Sequence, residues 1–356
     1  MKQRKSRKIL FICLAILLGV LAVTMVITHC MIRQEFGRGS YPEYATADYF
    51  YKDYQDTYER EYVNFMSGKN RLQGYVYGSE NDKGLLVFSH GIGGGHENYI
   101  NEIIWFVDQG WRVFAYDATG SCESEGDGTI GLVQSALDLD AALTYIEEEN
   151  SFSGLPVCLL GHSWGGYGVG AVLQFSHEIA ASVSISGYAY PMEMMMEYVN
   201  SSMGKAGSLL YPFVWLDTYI TFGKNVSLSA IDGINSGEVP VLVIHGTADE
   251  MIGFNGAAII AKKEQITNPN VRYLIMNQEG QNGHNNLFRN EDSIDYIQTC
   301  NDMFGEIYDS YGGDVPDDIR LEYIDSLDKE KINQCNEELL SQIQDFFEAA
   351  VSHVDF

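Results

Sequence analysis

Short, mostly apolar runs recur along the chain, separated by stretches in which apolar residues have helical spacing. The runs predict buried strands at residues 85–89, 112–116, 157–161, 181–185, 241–244 and 272–276, and a hairpin at 62–66 and 71–77. The intervening residues 97–109, 132–148 and 256–263 carry apolar stripes that predict helices. Strands that alternate with helices indicate an α/β fold, with a mostly parallel central sheet flanked by helices.

Three segments depart from this alternation. Residues 189–238 have no clear strand and are rich in Met and aromatic residues, which predicts a helical cap over the sheet. Its apolar side either packs on the domain or lines a substrate pocket, since methionines adapt to varied apolar shapes. Residues 290–330 predict an acidic helical insertion before a final helix at 332–351. In the segment 33–60, tyrosines at helical spacing predict a helix lying on the domain.

The first residues have a different pattern. Residues 1–8 form a basic flank, and an uncharged apolar run follows at 9–32. As a helix this run spans roughly 36 Å, which is enough to cross a bilayer. A cleaved signal peptide has a shorter apolar region and a small-residue cleavage site, so we expect an uncleaved transmembrane signal anchor. The basic flank predicts a cytoplasmic N-terminus, followed outside the cytoplasm by a Tyr-rich juxtamembrane stalk at 33–60 and one large domain at 61–356.

The formal net charge of −27 bears on which molecules the chain can bind. Such an acidic chain disfavours nucleic acid and favours solubility. The cysteines and histidines have neither C-x-x-C nor His-x-x-x-His spacing, so no metal site is indicated. Cys300 and Cys335 flank the predicted insertion, and outside the cell they either pair or stay as free thiols.

A sharp turn carries the first candidate chemistry. Gly161-His162-Ser163-Trp164-Gly165 ends a predicted buried strand and is the one match to the nucleophile-elbow pattern G-x-S-x-G. The flanking glycines let strand and helix approach closely, and the turn exposes the serine hydroxyl. In a Gly-rich chain the match alone is weak. A nucleophilic Ser163 also needs a base, an orienting acid and donors for an oxyanion.

Candidates for the acid and the base follow two later strands. Asp249 lies in the loop after the strand at 241–244, and His284 lies in a Gly- and Asn-rich loop after the strand at 272–276. The carboxyl ends of parallel strands meet at one edge of a sheet, and the chain order Ser, Asp, His is that of a large class of serine hydrolases. We therefore predict a triad of Ser163, Asp249 and His284. Glu250 is the less favoured acid.

Donors for an oxyanion are predicted upstream. The Gly-rich loop at 90–95 follows the strand at 85–89 and can bring a backbone N–H over the serine. A phosphate cradle is not indicated, because no Gly-Lys-Ser/Thr follows. We expect the N–H groups of Ile92 and Trp164 to form the oxyanion hole.

Taken together, these motifs resemble the α/β-hydrolase superfamily, most closely its serine aminopeptidase, lysophospholipase and monoacylglycerol-lipase-like branch. The matching segments are 90–94, 117–124, 161–166, 245–249 and 283–284. The resemblance places an oxyanion residue at Ile92. Cys122 replaces the second glycine of the branch's D-x-x-G-x-G-x-S turn, which we interpret as structural. The anchor, the stalk and the insertion lie outside the shared pattern.

The residues and the resemblance predict a membrane-anchored, extracytoplasmic serine hydrolase that cleaves a carboxylic ester and needs no metal or organic cofactor. A lipid-derived ester and a soluble short-chain ester both fit. The alternative is an aminopeptidase or amidase acting on small peptides, with Glu193 and Glu197 as candidates for recognising a free α-amino group. A non-enzymatic surface binding module is the least favoured reading, because such proteins usually lose a triad member. Protein partners are not indicated.

Overall fold

One mixed sheet runs through the domain. The computed structural model describes residues 2–42 and 46–352, with side chains from residue 7 onward; residue 1, residues 43–45 of the predicted stalk and residues 353–356 lie outside the described residues. Within that part of the chain the strands are β1 (Arg60–Ser67), β2 (Asn70–Tyr77), β3 (Leu85–Ser89), β4 (Arg112–Tyr116), β5 (Val157–His162), β6 (Ala181–Ile185), β7 (Val241–Gly246) and β8 (Val271–Met276).

The strand order across the sheet is β1-β2-β4-β3-β5-β6-β7-β8. The pairs β1–β2 and β2–β4 are antiparallel, and the other pairs are parallel. Every residue of β3, β6 and β7 is buried, because helices cover both faces of the sheet. Strands buried on both faces are mostly apolar, which explains the apolar runs in the sequence. The predicted α/β class is confirmed.

Helices form the outer layers. They are α1 (Lys2–Glu35), α2 (Tyr51–Tyr54), α3 (Ile100–Asp108), α4 (Gln134–Glu148), α5 (Trp164–Ala171), α6 (Pro191–Met203), α7 (Tyr211–Phe222), α8 (Ala230–Asn235), α9 (Glu291–Ser310), α10 (Asp317–Asp325), α11 (Lys329–Ile332) and α12 (Glu337–Val351). The side chains of α4, α5 and α8 pack into one core cluster, and those of α3 and α12 pack into a second. The sheet separates the two clusters.

One predicted helix is shorter and tighter than expected. Where an apolar stripe predicts a helix at 256–263, the structure has a 3₁₀ segment, Ile259–Gln265. The backbone explains the difference. The carbonyl of Ala257 accepts the N–H of Ala189, and the N–H of Ile259 donates to the carbonyl of Gly187. These groups bond to the loop after β6 and so cannot join an α-helical ladder.

The N-terminal helix α1 ends against the domain. Arg7–Glu35 is long and apolar enough, by length and composition, to cross a membrane. Its side chains are exposed up to Val23, whereas Ile32 and, just after the helix, Phe36 are buried in a third cluster with Met196 and Val214 of the cap. The end of the apolar helix is therefore packed on the predicted cap.

The segment that follows α1 also lies on the domain. The N–H of Gly39 donates to the carbonyl of Gly120, and the carbonyl of Gly39 accepts the N–H of Cys122. Arg38 donates to the carbonyls of Ser124 and Gly126 at 2.9 and 2.8 Å. Further along, α2 spans only four residues, and tyrosines on and after it pack against the second core cluster. The described part of the predicted stalk is thus a strap on the domain surface.

The cap and the insertion are helical where the structure describes them. Residues 189–238 hold α6, α7 and α8 with 3₁₀ segments at Gly204–Leu210 and Gly223–Ser227. Residues 290–330 hold α9 and α10, and the final helix begins at Glu337. Cys300 and Cys335 are both free thiols, so the structure contains no disulfide at the ends of the insertion.

Candidate active site

Ser163 lies on the tight turn between β5 and α5. Its backbone has φ 57° and ψ −113°, a conformation that residues with side chains rarely adopt and that is concentrated at functional sites. An added Cβ on Gly161 would collide with the carbonyl group of Gly165, and one on Gly165 would collide with that of Ser89. The two glycines therefore allow the close approach of strand and helix that exposes the hydroxyl.

Three side chains form a hydrogen-bonded row that starts at this turn. Ser163 Oγ lies 2.9 Å from His284 Nε2, and His284 Nδ1 lies 2.9 Å from both carboxylate oxygens of Asp249. Since Nδ1–H donates to the carboxylate, Nε2 carries the lone pair that accepts the serine O–H. Asp249 follows β7 and His284 follows β8. The carboxyl ends of three strands thus bring the three sequence-predicted residues together.

The surroundings of Asp249 keep it ionised. Burial opposes its charge, but hydrogen bonds from His245, from His284 and from the backbone outweigh burial and hold the pKa of the carboxyl well below its usual range. His245 Nε2 lies 3.2 Å from Oδ2, and the backbone N–H of Ile252 donates to Oδ1 at 2.8 Å. An anion this well solvated by donors stabilises a neighbouring imidazolium without taking its proton.

Backbone contacts fix the loop that carries His284. Its N–H donates to Glu250 Oε2 at 3.1 Å, and its carbonyl accepts a hydrogen bond from His162 Nε2 at 3.0 Å. Glu250, the less favoured acid in the sequence, therefore holds the backbone of the loop, whereas Asp249 holds the ring.

A buried histidine and a tyrosine connect this loop to the Gly-rich loop. Because His162 Nε2–H donates to the His284 carbonyl, its Nδ1 is unprotonated and accepts the hydroxyl of Tyr99 at 2.8 Å. The Tyr99 oxygen in turn accepts the N–H of Gly91 at 3.1 Å. Burial, with His284 nearby, lowers the pKa of His162 to about 3, so the ring stays neutral and keeps this tautomer. Sequence reasoning missed the connection; its one local signal is a histidine beside the elbow serine.

His90 orients the peptide that carries the predicted oxyanion donor. His90 Nε2 accepts the N–H of Ala118 at 2.9 Å, so its Nδ1–H donates to the carbonyl of Gly91 at 2.6 Å. In a trans peptide the C=O and the following N–H point in opposite directions. Fixing the Gly91 carbonyl on His90 therefore turns the N–H of Ile92 the other way. Trp164, the second predicted donor, is the first residue of α5, where N–H groups have no partner within the helix.

Comparisons with known proteins bear on the fold of the chain. Residues 80–229 match a family model described as serine aminopeptidase, S33. The structure of the Pyrococcus furiosus esterase Pf2001 superposes with a TM-score of 0.51 at 20% identity, covering 78% of this chain and 97% of that one. An acylaminoacyl peptidase in complex with Z-Gly-Gly-Phe-chloromethyl ketone gives 0.50 at 18% identity, covering 71% of this chain and 41% of that one.

The chain has an α/β-hydrolase fold. The family match, over less than half of the chain, supports a hydrolase of the serine type. A curated relative, the uncharacterized protein YfhR of Salmonella typhi, is 25% identical over 181 residues. That match covers 49% of this chain and about half of the relative's length, 56%.

A cavity of about 740 Å³ lies between the Gly-rich loop and the loop that carries His284. The Gly-rich loop forms one wall through Gly91 and Ile92, and Asn285, next to His284, forms another. The Cα of Gly91 is so close to the elbow that an added Cβ would lie 3.5 Å from Ser163 Cβ. The far wall is α9, through residues such as Gln298. The first helix of the insertion thus borders the cleft.

The two glutamates considered for amine recognition have other partners. Glu193 pairs with Lys262 at 2.6 Å. Glu197 accepts the backbone N–H groups of Gly253 and Ala257 at 3.1 and 2.7 Å. Both candidates are therefore engaged within the chain: the carboxylate of Glu193 forms an ion pair, and that of Glu197 holds the loop after β7 to the cap.

The turn at 117–124 is a structural support, in line with its interpretation from sequence. Asp117 is buried, and its carboxylate accepts hydrogen bonds from the ring and the backbone of His96 at 2.9 and 3.1 Å. Burial opposes its charge, but His96 lowers the pKa of Asp117 to about 2. Cys122, where the related branch has glycine, adopts φ 40°. This left-handed backbone is the reason that glycine suits the position.

Proposed function

We propose that the protein is a membrane-anchored, extracytoplasmic serine hydrolase that cleaves carboxylic esters. The observation that carries the proposal is the hydrogen-bonded row of Ser163, His284 and Asp249 at the carboxyl edge of an α/β-hydrolase sheet. A serine, a base that reaches it and an acid that orients the base are the parts that nucleophilic acyl transfer needs. The oxyanion donors in this proposal are the N–H groups of Ile92 and Trp164.

In the first half-reaction, Ser163 Oγ attacks the ester carbonyl carbon while His284 Nε2 takes the hydroxyl proton. Asp249 stabilises the imidazolium, and the N–H groups of Ile92 and Trp164 receive the oxyanion. Collapse of the tetrahedral intermediate expels the alcohol, which takes the proton from His284, and leaves an acyl-serine. In the second half-reaction, His284 activates a water that releases the acid and restores the serine. No step calls on a metal or organic cofactor.

The anchor and the cleft support the location and the substrate class. A basic flank followed by a long apolar helix favours a single-pass anchor with the domain outside the cytoplasm. In this proposal the ester reaches Ser163 from the cleft between the Gly-rich loop and Asn285, whose walls mix apolar Ile92, Tyr99 and Phe288 with polar Asn285 and Gln298. An amphiphilic ester, apolar on one side of the carbonyl and polar on the other, suits these walls.

A peptidase activity is the second candidate, because the matching family model is that of a serine aminopeptidase. With Glu193 and Glu197 both engaged elsewhere, a free α-amino group would need another acidic partner. Esters need no such partner. Ester hydrolysis is therefore the favoured assignment, because it requires no acidic residue to bind an α-amino group.

A chain-length series of p-nitrophenyl esters tests the assignment, with amino-acid p-nitroanilides as the competing substrates. We expect turnover of the esters to exceed that of the anilides, and Ser163→Ala to abolish both. Hydrolysis by Ser163→Ala at the wild-type rate would refute the mechanism. Faster turnover of the anilides would transfer the assignment to the peptidase.

A further inference from the structure

An exposed apolar surface lies on the cap, outside the proposed active site. We define the cap surface as Leu209, Tyr211, Trp215, Leu216, Tyr219 and Ile220, which come from the end of the 3₁₀ segment and from α7. All six are exposed, and Leu209 and Ile220 are 78% and 69% exposed. Such a concentration of large exposed apolar side chains on one short segment is typical of a surface that has a partner.

The charge of this part of the cap differs from that of the rest of the chain. Between Tyr198 and Ser229 the only charged residues are Lys205, Asp217 and Lys224. Asp217 is buried, so the solvent-facing charge there is carried by two lysines. The whole chain nevertheless has a net charge of −27. An apolar, aromatic and locally basic surface on an acidic protein matches the interface of a bilayer, where Trp, Tyr and Lys side chains are favoured.

The apolar helix α1 is attached to the same cap helix. His29 Nδ1 lies 2.6 Å from Asp217 Oδ1, and Arg33 donates to Thr221 Oγ1 at 2.8 Å. Both partners belong to α7, which also carries most of the cap surface. The cap surface and the end of the apolar helix are therefore parts of one contiguous body.

The length of the exposed part of α1 determines how close the bilayer comes to the cap. Residues 9–23 are exposed throughout, and as a helix these residues span about 22 Å. The hydrocarbon core of a bilayer is about 30 Å thick, so a helix that crosses it must extend about five residues beyond Val23. Those residues reach Thr28, which is 4% exposed because it packs against the cap. Tilting α1 would require still more residues. A bilayer that α1 crosses must therefore extend to the level of the cap.

We propose that the cap surface lies in the interface of the bilayer that α1 crosses, with its apolar side chains at the boundary of the acyl chains and Lys205 and Lys224 at the lipid phosphates. The cap is then a second membrane contact that fixes the orientation of the hydrolase domain. The inference rests on the membrane anchor proposed above. It does not depend on the ester chemistry.

Tryptophan fluorescence of the full chain in phosphatidylcholine nanodiscs tests the proposal. Trp111 and Trp164 are buried and Trp105 is half-buried in the second core cluster, whereas Trp215 is 40% exposed. The difference in emission between wild type and Trp215→Phe isolates the signal of Trp215. In discs whose lipids carry bromines near the headgroup end of the acyl chains, we expect this signal to fall about twofold or more, because indole rings at the interface lie at that depth.

Two matched variants sharpen the test. Ile220→Glu should weaken the quenching of Trp215 without lowering the thermal midpoint, since its side chain is exposed in the folded chain. Met303→Glu on α9, also exposed, adds the same charge away from the cap and should leave the quenching unchanged.

Equal Trp215 emission in brominated and plain discs would overturn the proposal, and a Trp215 signal shielded instead by a second copy of the chain would do the same. Failure of the chain to enter discs at all would refute the anchor as well. Loss of ester hydrolysis with Trp215 still quenched would contradict only the proposed function.

Discussion

Replacing Tyr99 with Phe removes one hydroxyl group that joins the two loops on either side of Ser163. That hydroxyl donates to His162 Nδ1 at 2.8 Å and accepts the N–H of Gly91 at 3.1 Å. Phe keeps the ring and its contacts but offers neither bond. Tyr99 touches no reacting atom in the proposed mechanism, so we expect it to act as a positioning residue.

The size of the effect on stability follows from the burial of the two groups that lose a hydrogen bond, the N–H of Gly91 and Nδ1 of His162. Gly91 and His162 are buried, and a buried polar group that loses its partner costs about 1–3 kcal/mol. For a large domain each kcal/mol lowers the thermal midpoint by about 2–4 °C. Losing one oxyanion donor outright costs about 3–4 kcal/mol of transition-state stabilisation. Because His90 still holds the Gly91 carbonyl, the Ile92 N–H should be loosened only in part, so we expect kcat to fall about ten- to a hundredfold.

The assay measures kcat and KM on a p-nitrophenyl ester together with the thermal midpoint. Tyr167→Phe is the matched control, since Tyr167 is buried and its hydroxyl donates only to the carbonyl of Leu228 among the described residues. The control should lower stability with kcat nearly unchanged, whereas Tyr99→Phe should lower both and change KM much less than kcat. A Tyr99→Phe variant with wild-type kcat and midpoint would refute the reasoning.

Two further predictions come from the charged partners of histidines. Asp249→Asn should lower kcat by about 10⁴-fold with KM little changed, because the amide no longer selects the Nδ1–H tautomer of His284; steady-state kinetics measure this, and a loss below tenfold would contradict the assigned role. The hydrogen bonds to Asp140 and Glu147 raise the pKa of His177. The protonated His177 therefore stabilises the folded state fully below its unfolded pKa of about 6.5, and this contribution is lost as the pH rises through the folded pKa. Between about pH 6 and 9, wild type should therefore lose more of its thermal midpoint than His177→Gln does; equal losses would count against the pairing.

The parts that the sequence predicted well depend on local pattern and chain order. Strands buried on both faces are mostly apolar and form short runs in the sequence, and β3, β4 and β6 have the predicted bounds. The carboxyl ends of parallel strands share an edge, so loops after β5, β7 and β8 had to meet there. Ser163, Asp249 and His284 lie within hydrogen-bond distance for that reason.

The parts that were missed depend on distant contacts. Tyr99 and His162 are 63 positions apart, and His162 and His284 are 122 apart; no local pattern pairs such residues. The role of Glu197 could not be predicted for the same reason. Its carboxylate accepts two backbone N–H groups of the loop after β7, which approach it only in the folded chain. The segment after α1 was interpreted as a stalk because the backbone hydrogen bonds between Gly39 and residues 120 and 122 leave no trace in the sequence of the segment.

Labelling with a fluorophosphonate probe tests the central claim most directly, because the probe forms a covalent bond only with a serine activated for nucleophilic attack. Wild type should label at a single site, identified as Ser163 by mass spectrometry of the labelled peptide. Ser163→Ala should not label, and His284→Ala should label far more slowly while retaining the wild-type fold by circular dichroism. A folded wild-type protein that does not react, or one that labels equally well as Ser163→Ala, would contradict the account.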